Sequence, residues 1–155
     1  MGLPRQNSGG APSFSDTLYL RVAKVNRSID WLRQAERDLQ VAESSAAAGY
    51  HEWAAFAAQQ SAEKAVKALV ESLRGAARGH SITGLLSHLA PAREVPEPVL
   101  NAARELDQVY VTARYPNGFV TGIPGDYFSA STSQRLIEHA RHILGFCRGQ
   151  IPESG

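Results

Sequence analysis

The sequence predicts an all-α fold, an up-and-down helical bundle of four main helices plus one short helix. Three observations predict it. Apolar residues recur at steps of three and four over most of the chain, prolines and glycines gather between those stretches, and no run alternates apolar and polar residues as a half-buried strand does. The 155 residues suit one domain with a single sizeable core, and 43% hydrophobic residues lies in the ordinary globular range. No internal repeat is present.

The first helical stripe is Leu18, Val22, Val25, Ile29, Leu32, Ala35 and Leu39. Ser15 can cap its start by accepting a backbone N–H bond. Asn26 and Ser28 offer a second starting point, so one long helix or two abutting pieces both fit. Residues 1–14 lack the apolar middle of a signal peptide and read as a disordered leader, with 15–28 as an N-terminal helical extension. Gly49, able to take positive φ, ends the stripe.

The second helix is expected from His51 to Arg74, with Trp53, Phe56, Val66, Leu69, Val70 and Leu73 buried. Alanines at 54, 55, 57, 58, 62, 65 and 68 favour helix and allow close helix approach. Arg74 and Gly75 close it. A short helix carries Ile82, Leu85, Leu86 and Leu89, with Ser81 as its cap. After Pro91 and Pro96, Pro98 suits the first turn of a fourth helix bearing Val99, Ala102, Ala103, Leu106, Val109, Tyr110 and Ala113. That helix must stop near Tyr115, because the residue before Pro116 is pushed out of helical geometry. Residues 115–129 form a long aromatic loop, and loops of that length in a compact domain are often functional. The last helix is expected to start at Ser131, which has capping-box spacing to Gln134. Its core face is Leu136, Ile137, Ala140, Ile143, Leu144 and Cys147.

The formal charge is +1, unevenly spread. Arg5, Arg21, Lys24 and Arg27 precede residue 28 with the single acid Asp16, leaving 12 basic and 14 acidic groups in the remainder. A domain that grips nucleic acid by its phosphates usually carries a basic excess, so any RNA or nucleotide site must be local. The lone Cys147 excludes an intrachain disulfide, which fits a reducing compartment, and its place on an apolar stripe marks a buried small hydrophobe. No run approaches the ~20 apolar residues of a membrane span. A cytoplasmic protein without membrane partners is the expectation.

Several short motifs follow in a particular order. They are Trp31-Leu32-x-x-Ala35-x-x-Asp38-Leu39, Ala57-Ala58-Gln59-Gln60-x-Ala62-Glu63-Lys64-Ala65-x-Lys67-Ala68-Leu69, and Gly79-His80-Ser81-Ile82 with Leu85-Leu86. Leu106-Asp107-x-x-Tyr110, Ala113-Arg114-Tyr115-Pro116-Asn117-Gly118 and Asp126-Tyr127-Phe128 come next. This series resembles the HEPN family (higher eukaryotes and prokaryotes nucleotide-binding). More narrowly, it is similar to the branch with an Arg-Tyr-Pro motif that includes the C-terminal domain of sacsin. The resemblance covers residues 29–148, with 149–155 as a C-terminal tail, and implies a bundle that pairs into a homodimer. It also implies two broad activities. Some members are metal-independent ribonucleases, often toxins of toxin–antitoxin pairs opposed by a small nucleotidyltransferase; others bind nucleotides or recruit partners without cleaving anything.

The ribonuclease branch uses an Arg and a His with four to six residues between them, the His shuttling a proton and the Arg steadying phosphate charge. Arg74 with His80 and Arg135 with His142 meet that spacing. Gly75 and Leu136 follow the arginines where toxins often place a polar residue, and the Tyr that some toxins carry after the His is missing. The nucleotide-binding reading uses Lys64, Lys67, Arg114, Tyr110 and Tyr115. Lys64 and Lys67 share a helix face, Arg114 suits bidentate phosphate contact, and a tyrosine can stack a base. Against it, Lys67 stands four residues after Glu63 in the favourable order for a simple helix pair, and Arg114 can pair with Asp107 on its own face. His139 and His142 have i,i+3 spacing but no carboxylate motif for a metal. The sequence thus favours a non-catalytic HEPN homodimer that binds a nucleotide (ATP or GTP) or a nucleotidyltransferase partner, with no cofactor required. A metal-independent ribonuclease acting on RNA and a purely structural dimerisation module are the alternatives.

Overall fold

The computed structural model describes Gly2, residues 26–89, 91 and 93–152, and among them every regular element is helical. Apart from Gly2 the leader, and with it nearly all of the N-terminal extension, including Leu18, Val22 and Val25, lie outside the described residues. Helix α1 (Ser28–Ala47) begins at the second of its two possible starts. The Asn26 side chain accepts the Ser28 backbone N–H at 2.9 Å, and the Arg27 N–H donates to Glu71 at 2.8 Å. The helix ends as the glycine predicts: Gly49 takes φ +87°, with Tyr50 N–H bonded to Ser45 O and Gly49 N–H to Ala46 O.

Helix α2 (His51–Ser72) is the axis of the bundle, packed along α1 on one side and against α7 on the other. Its alanines 54, 55, 58, 62, 65 and 68 are fully buried, as are Val66 and Leu69. The buried Ser61 hydroxyl donates to Ala35 O at 2.7 Å, tying α2 to the α1 backbone. Trp53 departs from the expected stripe: it is 50% exposed. Ala54, Ala55 and Ala58 hold the inward positions there, and Trp53 meets the edge of Phe56, with ring centroids 6.3 Å apart. The closing turn also differs in detail. Arg74, and not Gly75, is the left-handed residue at φ +61°. Gly75 is needed for another reason, since a Cβ there would stand 2.8 Å from a Val70 methyl.

Helix α3 (Ile82–Ser87) is capped by Ser81, whose hydroxyl accepts the Gly84 N–H at 3.1 Å. The helix expected to run on to Tyr115 is instead two pieces, α4 (Glu97–Asp107) and α5 (Val109–Thr112). Gln108 between them keeps right-handed angles (φ −65°, ψ −24°), so the rod carries a hitch and not a bend. Tyr115 is extended before Pro116, as the proline requires. The aromatic loop then contains a 3₁₀ turn (Pro116–Gly118), a stacked Phe119–Tyr127 pair at 4.1 Å and the short α6 (Pro124–Tyr127).

Helix α7 (Ala130–Gln150) buries Leu136, Ile137, Ala140, Ile143, Leu144 and Cys147, the face read from the sequence. Burial pushes the Cys147 thiol up to about 12. Its cap is Ser129, two residues earlier than expected; the Ser129 hydroxyl accepts the Thr132 N–H at 3.2 Å, while Ser131 already lies inside the helix. On its outer face α7 is clasped to α4, with Arg135 Nε 2.9 Å and His139 Nε2 3.3 Å from the Glu105 carboxylate. The Arg135 hydrogen bond, helped by His139, holds Glu105 below the usual carboxylate range against the opposing pull of desolvation.

Ser129→Ala should cost about 1 kcal/mol in urea unfolding, the usual worth of a side-chain cap, while Ser131→Ala should cost a few tenths at most. Glu105→Gln should lower stability by no more than ~1 kcal/mol at neutral pH, as expected of an exposed pair. Because the folded carboxyl titrates below its unfolded value, that stabilisation is present above the ordinary carboxylate range and lost as pH falls through the lowered pKa. Thermal melts of the native and Glu105→Gln proteins should therefore converge in acid.

Candidate functional site

One face of α2, the α2–α3 connection and the end of the α4–α5 rod bring a cluster of polar and aromatic side chains together. At its base lies Glu63, a carboxylate only 3% exposed among the α2 alanines. A buried charge of this kind persists only with partners, and Glu63 has two. Its Oε2 stands 3.4 Å from Lys67 Nζ, and its Oε1 is 2.9 Å from His80 Nδ1. An ionised carboxylate oxygen only accepts, so the imidazole donates from Nδ1, and in the neutral ring Nε2 is then the acceptor nitrogen. The fully buried Gln59 adds a second tether, its amide donating to His80 O at 3.2 Å while its oxygen accepts from Gln60 at 2.8 Å.

The His80 ring, 57% exposed at its side chain, lies nearly parallel to Tyr110 with centroids 4.8 Å apart. Beyond Tyr110 comes Arg114. Its guanidinium carbon sits 4.4 Å from the Phe56 ring centre, 4.6 Å from Tyr110 and 5.1 Å from Tyr115, within the range of cation–π attraction. Its Nε donates to Tyr110 O at 2.8 Å. Among the described residues Arg114 has no carboxylate partner. The Arg114–Asp107 pair, the alternative that their shared face allows, does not form. Asp107 is turned to the start of α3, where its carboxylate accepts from Ile82 N (2.7 Å), Thr83 N (3.1 Å), Thr83 Oγ1 (2.6 Å) and Ser81 Oγ (3.2 Å).

The two lysines go separate ways. Lys67 joins the cluster through Glu63 and lies 5.5 Å above the Trp31 ring. Lys64 reaches instead to Asp38 on α1 at 2.5 Å, beside the Gln34–Asp38 hydrogen bond. Both ammonium charges are thus met by carboxylates. Tyr115 stands half-exposed at the outer rim.

The remaining candidates fall elsewhere or engage differently. Arg74 is exposed at the left-handed end of α2, and only His80 of that pair is held in the cluster. Arg135 belongs to the α4–α7 clasp through Glu105, and His142 is exposed further along α7. Among the described residues no group of three or more His, Cys, Asp and Glu is placed to hold a metal ion. Sequence reasoning missed Glu63 and Gln59 as site residues, although a carboxylate and an amide set among inward alanines were a usable sign.

The helical fold agrees with what the chain is similar to. A model of the HEPN domain matches residues 28–150. Among solved structures, TT1696 from Thermus thermophilus shares 37% identity, with a TM-score of 0.79 over 81% of this chain and 99% of that one. ST0689, an archaeal HEPN homologue, shares 38% identity, with a TM-score of 0.71 over 83% of this chain and 100% of its own. An HEPN domain protein from Thermotoga maritima shares 29% identity, with a TM-score of 0.66 over 81% of this chain and 99% of its own. No curated protein matches. The matched domain model spans the whole bundle, and the chain belongs to the HEPN family.

Proposed function

We propose that the chain is a non-catalytic HEPN module that binds a nucleotide at the His80–Tyr110–Arg114 cluster, acting as a homodimer with a protein partner such as a small nucleotidyltransferase. One observation carries this reading: Arg114 is laid on three aromatic rings and lacks a carboxylate partner among the described residues. A guanidinium fixed by stacking and by one Nε bond has its remaining N–H donors pre-organised for a phosphate. The open face of His80 and the rim residue Tyr115 offer stacking surfaces for a base. Lys64 and Lys67 contribute less than their charges suggest, because Asp38 and Glu63 already meet them. ATP and GTP are the first ligands to test. Calorimetric titration should show binding that Arg114→Ala weakens tenfold or more, given ~1.5–3 kcal/mol for a hydrogen bond to a charged group. Arg114→Lys should not restore it, since a point charge neither stacks nor forks. Absence of heat and of thermal shift at millimolar nucleotide removes the nucleotide part of the proposal.

A specific feature favours a second reading, the metal-independent ribonuclease. The Glu63–His80 contact occupies Nδ1 on a ring whose side chain is 57% exposed, and a neutral ring donating from Nδ1 has Nε2 as the acceptor a general base needs. If this reading holds, native protein cleaves a labelled RNA pool in EDTA and the His80→Ala variant does not. Equal cleavage by His80→Ala, with loss only in His142→Ala, would move the chemistry to α7. No cleavage by native protein leaves the binding module.

A further inference from the structure

We infer that Asp107 is the positioning residue of the His80 side of the proposed site, an inference that rests on the site reading above but is testable without any ligand. Asp107, Tyr110 and Arg114 lie three and four residues apart along the α4–α5 rod, and Gln108 keeps the right-handed path between its two pieces. They therefore project to one side. Each does a different job there. Asp107 collects four donors from Ser81, Ile82 and Thr83, Tyr110 stacks on the His80 ring, and Arg114 lies over the Tyr110 ring.

The residues that Asp107 grips immediately follow His80. The Ile82 and Thr83 amides are among the first N–H groups of α3, which have no partner inside the helix. Ser81 answers one such group, the Gly84 amide, and Asp107 answers these two from another helix. The start of α3 is thus set jointly by its own Ser81 cap and by α4. Gly79, at φ +86°, lets the chain turn just before His80. From the other side Gln59 holds the His80 carbonyl and Glu63 the His80 ring. Register between α4 and α3 then determines whether the imidazole lands on Tyr110, and Asp107 fixes that register.

The test reads His80 directly in the full chain. Its ring proton and carbon resonances, assigned with a His80→Gln variant, should carry the upfield displacement that a stacked Tyr110 ring imposes. Asp107→Ala should abolish that displacement as fully as Tyr110→Leu does, while the His51 and His139 resonances stay in place to certify a folded bundle. Asp107→Asn keeps one acceptor oxygen and should give an intermediate displacement. Should Asp107→Ala fail to fold, Thr83→Val, which removes the 2.6 Å bond to Asp107 and the 3.1 Å contact with the Ser81 hydroxyl but keeps the Thr83 amide bond, should shift the His80 signals part of the way in the same direction. His80 signals unmoved in folded Asp107→Ala, or unmoved in Thr83→Val, overturn the inference. Because no nucleotide is present, this result is separate from the outcome of the ATP and GTP titrations.

Discussion

The close approach of α2 to its two long neighbours governs everything else in this bundle. Fully buried alanines at 54, 55, 58, 62, 65 and 68 line the surfaces that meet α1 and α7. Small side chains let helix backbones come near one another but contribute little apolar area each. The larger residues of α3, α4 and α7, including Leu85, Leu86, Leu106, Leu136 and Ile143, therefore fill the remaining core volume. Tight packing of this kind also removes room for adjustment. Ser61 can donate to the Ala35 carbonyl because the two helices sit so close, and Trp53 lies off the inward face that Ala54, Ala55 and Ala58 occupy.

That same closeness makes the site possible. Glu63 lies on a helix whose flanks are almost wholly buried, so its charge must be answered locally or not at all. Lys67 answers from the next turn, and His80 is drawn down from the α2–α3 connection to complete the set. A buried carboxylate thus acts as an anchor for a ring that is itself more than half exposed. The chain of contacts reaches Arg114 through Tyr110, each partner held in a different way: ion pair, hydrogen bond, ring stack, cation over ring.

Much of the fold was legible from spacing. The α7 stripe, the Gly49 terminus, the Ser81 cap and the extended Tyr115 all follow from local rules acting on adjacent residues. What the sequence concealed were choices made across space. Ser129 and Ser131 both precede a helical stripe, and only the path of the chain out of α6 selects Ser129 as the cap. Asp107 and Arg114 share a face and carry opposite charge, yet the carboxylate finds four better-placed donors at the start of α3. Lys64 and Lys67 look equivalent on a helical wheel and both border α1, but one pairs with Asp38 there while the other pairs with Glu63 of its own helix and lies over Trp31. The family resemblance brought forward the segments Gly79-His80-Ser81 and Arg114-Tyr115-Pro116. It could not say that Glu63 joins them.

The buried sulfur on α7 has a consequence for how this molecule ages. Cys147 is fully enclosed, and burial keeps its thiol protonated far above physiological pH. Alkylating and oxidising reagents act on exposed thiolates, so the chain meets them at this position only during openings that detach α7 from the core. The rate at which that sulfur is consumed then follows how often the bundle comes apart. The fold carries its own chemical record of every such event.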